Sequence, residues 1–229
     1  MAGVQDGKDV TLYHCVMSRG FRVLWTLKEL DVKGYRLVTM PFPPRFRAEG
    51  YTKLNVLGTI PYLVHGSTKM TESCGIAMYL AERFGPTSLR VGPEEADYGA
   101  YLNWITHADA TITFPQTVWL RFNLQEAKKG LQEAGNAYAK WFIARLRLLD
   151  QALEDGRDFL CGGRFTTADI CVAYALVLGQ RLELDKNFGP YRPKTLAYLE
   201  RMMARPGFQA AQVEEEASLE AWESGKSKL

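Results

Sequence analysis

Along the first 84 residues the spacing of apolar positions changes period several times. "VTLYHCV" (10–16) is a short β-rich run, and "SRGFRVLWTLKEL" then carries Phe21, Leu24, Leu27 and Leu30 at helical spacing. "YRLVTM" (35–40) predicts a second strand, while "IPYLV" and "TKMT" predict two more on either side of the turn-like "HGS". "ESCGIAMYLAERF" follows as a helix with Ile76, Tyr79, Leu80 and Phe84 on one side. The order is β-α-β, an irregular stretch, then β-β-α. It predicts a compact α/β domain over 8–84, with helices covering the strands.

After this the strand pattern stops. "GPTSLRVGPEE" (85–95) is rich in Gly and Pro and reads as a linker. "ADYGAYLNWITHADATITF" opens one long helix. In "NAYAKWFIARLRLLDQALED" the apolar positions Tyr138, Phe142, Leu146, Leu149 and Leu153 recur at spacings of 3 and 4. Further helices are predicted at 167–179, 193–204 and 206–222, which makes 96–223 an all-helical domain. No internal repeat of solenoid period is present.

Composition narrows the function classes. With 47% hydrophobic and 24% charged residues the chain is an ordinary globular one, and a net charge of +2 does not suggest nucleic acid. No apolar run approaches the roughly 20 residues a membrane span needs. "MAGVQDGKDV" lacks the apolar centre of a secretory signal, so a cytoplasmic protein without membrane partners is expected. Cys15, Cys74, Cys161 and Cys171 form no CxxC pair. They read as small buried hydrophobes rather than a metal set or a disulfide framework. Up to Gly85 there are 11 Lys and Arg against 7 Asp and Glu, and beyond it 17 against 19. That division suits a small anionic ligand on the first domain, and chance scatter equally well.

Three segments carry candidate chemistry. In "NVLGTIPYLV" (55–64) Pro61 opens a strand, where its missing donor costs least. With a cis bond before it, the Ile60 N–H and C=O would turn away from the sheet toward an extended, peptide-like ligand. In "TESCGI" (71–76) the plain reading is a helix N-cap. The functional reading is a polar socket in which first-turn N–H groups bind a carboxylate and Glu72, beside Ser73, binds an ammonium. A ligand with both an α-amino and an α-carboxylate group would suit it. In "FTTADICVAYAL" (165–176) Thr166 and Asp169 form a capping box, a structural device opening a buried helix with Ile170, Tyr174 and Leu178.

In this order and spacing the three segments resemble the cytosolic glutathione transferase superfamily over nearly the whole chain. The resemblance implies a thioredoxin-like domain at about 8–84 followed by an all-helical domain. "NVLGTIPYL" is similar to the family's cis-proline segment, although Val56 stands where a proline usually follows the asparagine. "TESCGI" is similar to its Glu-Ser glutathione socket, "TTADI" to its buried helix cap, and "YLERMMARPGF" (198–208) to its C-terminal helix.

The family's theta- and delta-like classes carry a catalytic serine four residues before an arginine, and Ser18 stands so before Arg22 in S-x-x-x-R-V. Tyr13 is the candidate a tyrosine class would use. The position of the cysteine in the beta and omega classes is Arg19 here, and Cys15 lies upstream inside the strand. Ser18 is therefore the expected catalytic residue, donating to the glutathione sulfur and stabilising its thiolate. No His–Asp relay is visible near it in the sequence. By the same resemblance Ile60, Pro61, Glu72, Ser73 and Lys53 would bind glutathione, with Arg19, Arg45 and Arg47 as weaker cationic candidates. Val16, Met17, Phe42 of "MPFPPRF", Trp104, His107, Thr111 and Phe114 would line an apolar second-substrate site, with Arg121 near it. The implied protein is a cytoplasmic, homodimeric, metal-free transferase that joins glutathione to a small hydrophobic electrophile. Other glutathione-dependent chemistry stays open: dehalogenation, ether cleavage, isomerisation or peroxide reduction. So does a non-catalytic binding role on the same fold, although Ser18, Glu72 and Ser73 together argue against it.

Overall fold

The structure, a computed structural model, describes residues 5–229 and divides into two compact units. One runs to Arg90 and takes in Ala204–Leu229; the other is Val91–Met203.

The first unit contains the expected alternation. Strand β1 (Gln5–Asp6) precedes β2 (Val10–His14) and helix α1 (Gly20–Glu29). Strands β3 (Val32–Lys33) and β4 (Arg36–Thr39) follow, then the short helices α2 (Pro44–Arg47) and α3 (Tyr51–Leu54). Strands β5 (Tyr62–His65) and β6 (Thr68–Met70) lead into helix α4 (Ser73–Arg83). The main sheet has the order β4-β2-β5-β6, with β2 parallel to β4 and antiparallel to β5. Because β2 is central, Val10, Leu12, Tyr13 and His14 are all buried, and its text reads as a near-continuous run. The β1–β3 pair joins only two residues on each side, too few to show a period.

The last helix departs from the expected 96–223 division. The remaining helices include α12 (Pro206–Glu223), which packs on α1 and β4 in the first unit. Phe208 sets its ring edge-on to Phe21 (5.1 Å) and Trp25 (5.0 Å). Arg205 forks onto Glu29 with two bonds of 2.8 Å, Tyr35 donates to Glu214 at 2.6 Å, and the Thr39 N–H donates to Ser218 Oγ at 3.1 Å. Gly207 permits this approach, since a Cβ there would lie 2.6 Å from Glu29 Oε1. A helical stripe predicts that one face is buried; it does not say against what.

The second unit is helical. Tyr98–Gln125 is one continuous run: α5 (Tyr98–Thr106), a π-helical stretch (His107–Thr113), α6 (Phe114–Leu120) and a second π stretch (Arg121–Gln125). Helices α7 (Gln132–Arg145) and α8 (Arg147–Ala152) break at Leu146 where a single helix was predicted. Then come α9 (Thr167–Arg181), α10 (Leu184–Phe188) and α11 (Pro193–Met203). The capping box is present, and Ile170, Tyr174 and Leu178 are buried. Asp169 also accepts the Leu160 N–H at 3.0 Å and the Tyr198 hydroxyl at 3.0 Å, and burial pushes its carboxyl up to about 6. The expected linker is not loose. Leu89 and Val91 are buried, and Glu95 accepts from Arg164 at 2.7 Å. Among the described residues no helix is long and apolar enough to cross a membrane.

Candidate functional site

Strand β2 stops at His14, and a turn carries the chain into α1. Met17 sits in the left-handed region at φ 62, which a residue with a Cβ adopts at a cost, and this aims Ser18 at the helix start. The Ser18 N–H donates to Cys15 O at 3.1 Å, and Ser18 Oγ accepts the Gly20 N–H at 3.1 Å. The hydroxyl is half-buried at the positive end of a ten-residue helix. Its rivals are placed otherwise. Cys15 is fully buried, and burial pushes its thiol far above the ordinary range. Tyr13 is packed between Tyr51 and Tyr62, with ring centres 6.0 and 5.9 Å away.

Arg22 is wholly buried, and its Nη1 donates to Ser73 Oγ at 3.0 Å. The arginine of the S-x-x-x-R pattern thereby ties the first turn of α1 to the first turn of α4. Ser73 does not act as an N-cap. The flanking residue is Glu72, which is exposed and makes no side-chain capping bond. The plain capping reading of "TESCGI" gives way to a serine held by a buried guanidinium beside a carboxylate open to solvent.

The Ile60–Pro61 peptide is cis, and both residues are buried. The loop before it is pinned at Thr59, whose carbonyl accepts from the Tyr51 hydroxyl at 2.7 Å and from Asn55 Nδ2 at 2.8 Å. Asn55 Oδ1 also accepts the Leu57 N–H at 3.2 Å, the Asx turn that "NVLG" could have signalled. Lys53 is exposed on α3, as are Arg45 and Arg47 on α2.

A buried pair stands behind Ser18 that sequence reasoning missed. His14 Nε2 lies 2.8 Å from Glu215 Oε2, and His14 Nδ1 lies 3.4 Å from Ser18 Oγ. The side chains of His14 and Glu215 are 0% and 2% exposed. Gly20 makes room for the imidazole, since a Cβ there would fall 2.4 Å from Nδ1. The sequence shows no His–Asp relay near Ser18, and what the structure places there is a histidine–glutamate pair whose carboxylate lies 201 residues away along the chain. Glu215 lies on α12, and in "QVEEEASLE" nothing separates it from neighbours on a solvated face.

The second-substrate candidates fall in both units. In the first, Val16 is half-buried, and Met17 and Phe42 are exposed. In the second, Thr111 and Phe114 line a pocket of about 230 Å³ together with Pro115, Trp141 and Arg145, whose guanidinium lies 4.9 Å from the Trp141 ring centre. Trp104 is buried, so it supports rather than lines a surface, and its ring meets His107 edge-on at 5.5 Å. Burial, and then the charge of Arg145, lower the His107 pKa. Arg121 is occupied by Glu126 at 3.0 Å. Among the described residues no group of three or more His, Cys, Asp and Glu is placed to hold a metal.

Comparison with known proteins bears on the family and the fold. The model described as glutathione S-transferase, N-terminal domain, matches residues 8–82, and that of the C-terminal domain matches 105–206. Glutathione S-transferase theta-2 of Rattus norvegicus is 29% identical over 214 residues, 88% of this chain and 83% of its own. Glutathione S-transferase 3 of Schizosaccharomyces pombe is 24% identical over 200 residues, covering 80% and 78%. A glutathione transferase of Phanerochaete chrysosporium, solved with oxidized glutathione, superposes with a TM-score of 0.76 at 22% identity, covering 92% of this chain and 96% of that one. Ure2p5 of the same fungus, cocrystallized with 1-(S-glutathionyl)-2,4-dinitrobenzene, gives 0.76 at 20%, covering 93% and 96%. With both family models on its two halves, and theta-2 aligned along most of its length, this chain belongs to the glutathione S-transferase family.

Proposed function

We propose that the chain is a serine-type transferase in which Ser18 holds the glutathione sulfur as a thiolate for attack on a small hydrophobic electrophile. The observation that carries this is the placement of the Ser18 hydroxyl, half-buried at the N-terminus of α1 with the Gly20 N–H on one of its acceptor sites. A free cysteine thiol ionises at about 8.5, so little thiolate exists at neutral pH. A hydroxyl donated to the sulfur favours the charged form, and the helix terminus adds to it. Catalysis is then thiolate stabilisation and positioning.

The peptide is held by complementary groups. Glu72 meets the γ-glutamyl ammonium, and Ser73 with the first-turn N–H groups of α4 meets its carboxylate. The Ile60 backbone beside Pro61 pairs with the peptide's own main chain, and Lys53 meets the far carboxylate. The candidate contacts for the electrophile are, within the first unit, Val16, Met17 and Phe42 and, within the second taken by itself, His107, Thr111 and Phe114, with Trp104 buried. The names of the relatives, and the glutathione species bound to solved neighbours, support this ligand class. A cytoplasmic detoxifying homodimer completes the reading, with Cys74 and Met78 of α4 toward the second copy.

Purified protein mixed with glutathione should show the ultraviolet thiolate band at neutral pH and should conjugate a chloronitrobenzene. Ser18→Ala should lose most of the band. A wild-type protein that binds glutathione without ionising it would overturn the proposal.

A further inference from the structure

The proton that leaves the thiol needs a destination, and the buried pair behind Ser18 offers one. A serine hydroxyl has one proton to donate and two lone pairs. One lone pair of Ser18 Oγ already accepts the Gly20 N–H at 3.1 Å. With Glu215 as a carboxylate, which only accepts, the 2.8 Å contact assigns the hydrogen of a neutral His14 to Nε2 and leaves the lone pair of Nδ1 facing Ser18, 3.4 Å away. In that arrangement the serine's proton is directed inward to the imidazole and not outward to a ligand.

We propose that His14, held by Glu215, takes up the thiol proton through Ser18, which converts the serine from an inward to an outward donor. This rests on Ser18 being the thiol's partner. The step balances as a proton transfer alone. The S–H bond breaks as an Oγ–H bond forms, and the proton first on Oγ moves to Nδ1. A thiolate and an imidazolium result, the latter against the Glu215 carboxylate. Nδ1–H and Gly20 N–H now fill both lone pairs of Oγ, so its single proton points at the sulfur. The Ser18–His14 contact, at the long end of hydrogen-bond range, shortens as it becomes charge-assisted. Once the S–C bond forms, the proton returns by the same route to the leaving group or to water. His14 and Glu215 touch no substrate; they act through Ser18. Their burial (0% and 2% exposed) leaves Ser18 as the group through which they meet the ligand side.

The chain has 3 histidines, so protein labelled with nitrogen-15 at histidine gives a resolvable spectrum, and loss of signals in His14→Asn assigns them. At neutral pH, glutathione should move the His14 Nδ1 resonance from the pyridine-like to the pyrrole-like range, while S-methylglutathione, which has no thiol proton, should not. Glu215→Gln keeps an acceptor for Nε2 but removes the charge, and should lower the thiolate band of bound glutathione roughly tenfold. Its affinity for S-methylglutathione should stay within about twofold, because the pair contacts no ligand. A thiolate band that grows while the His14 resonances stay fixed would overturn the relay and leave the role of Ser18 standing. Absence of the band in the wild type would instead overturn the Ser18 reading, and the relay with it. The wild-type spectrum decides the matter even if Glu215→Gln fails to fold.

Discussion

Arg22 and Ser73 lie on different helices and meet in the interior, where the guanidinium donates to the hydroxyl at 3.0 Å. Two segments that look like separate motifs, one around Ser18 and one at the start of α4, are thus joined by this bond.

Ser73→Ala removes a hydrogen bond to a charged group, worth about 1.5–3 kcal/mol. For a chain of this size that lowers the melting temperature by roughly 3–12 °C. Thermal unfolding followed by circular dichroism checks it, and a change under about 1 °C would mean the bond adds nothing to stability.

Glu72→Gln should behave in the opposite way. The residue is exposed and caps nothing, so the ligand-free protein should melt as the wild type does. Glutathione affinity should fall roughly 10- to 150-fold, the worth of one charge-assisted hydrogen bond. Calorimetric titration measures both the affinity and its loss.

Ser18→Ala and Cys15→Ala separate the two candidates for the residue that activates the glutathione thiol. One hydrogen bond to the charged sulfur lowers a thiol pKa by roughly 1–2 units, so bound glutathione should ionise near about 6.5–7.5. At pH 6.5 that gives a thiolate fraction of roughly 10–50%, against about 1% for an unassisted thiol. Because a stabilised thiolate is also less nucleophilic, ionisation alone gives only about a 3- to 5-fold rate advantage at pH 6.5. The wild-type advantage should shrink toward pH 9.5. Cys15→Ala should keep its activity, since that thiol is buried and held protonated. Loss of turnover in Cys15→Ala with an intact thiolate band in Ser18→Ala would reverse the assignment.

Asp169 predicts a pH dependence of stability. Burial raises its carboxyl to about 6 in the folded chain, whereas an unfolded chain ionises it near about 3.9. Between those values the unfolded state binds fewer protons, so the contribution is full below about pH 4 and is lost as pH rises through about 6, on the order of 2–3 kcal/mol. Denaturant unfolding of wild type and Asp169→Asn across this window should show the difference converging as pH falls. A difference that stays constant from pH 4 to 7 would remove Asp169 as its source.

Much of the first unit was legible because its elements carry a period: Phe21, Leu24 and Leu27 announce α1, and Thr166 with Asp169 announces the start of α9. What the sequence withheld is partnership. Phe208 reads as one more apolar residue on a terminal helix, yet its rings of contact are Phe21 and Trp25. Glu215 sits among other glutamates, and only the folded chain shows that it alone of the "EEE" run is buried. Trp104 looked like a lining residue because an aromatic on a helix flanking a site has two faces to choose between, and a sequence cannot say which is inward. Ser73 looked like a cap for the same reason: its hydroxyl had a local partner available, and a distant arginine took it.

The return of α12 to the first unit has a consequence for biosynthesis. A ribosome delivers His14 and Ser18 almost at once, but the carboxylate that meets His14 emerges some 201 residues later. Until then the nascent chain presents an unshielded imidazole and the bare faces of Phe21 and Trp25. Translation stopped between Phe114 and Pro206 therefore yields a polypeptide with every candidate site residue named from the sequence and without the buried pair behind Ser18, so that synthesis through Glu215 becomes a condition for assembling it.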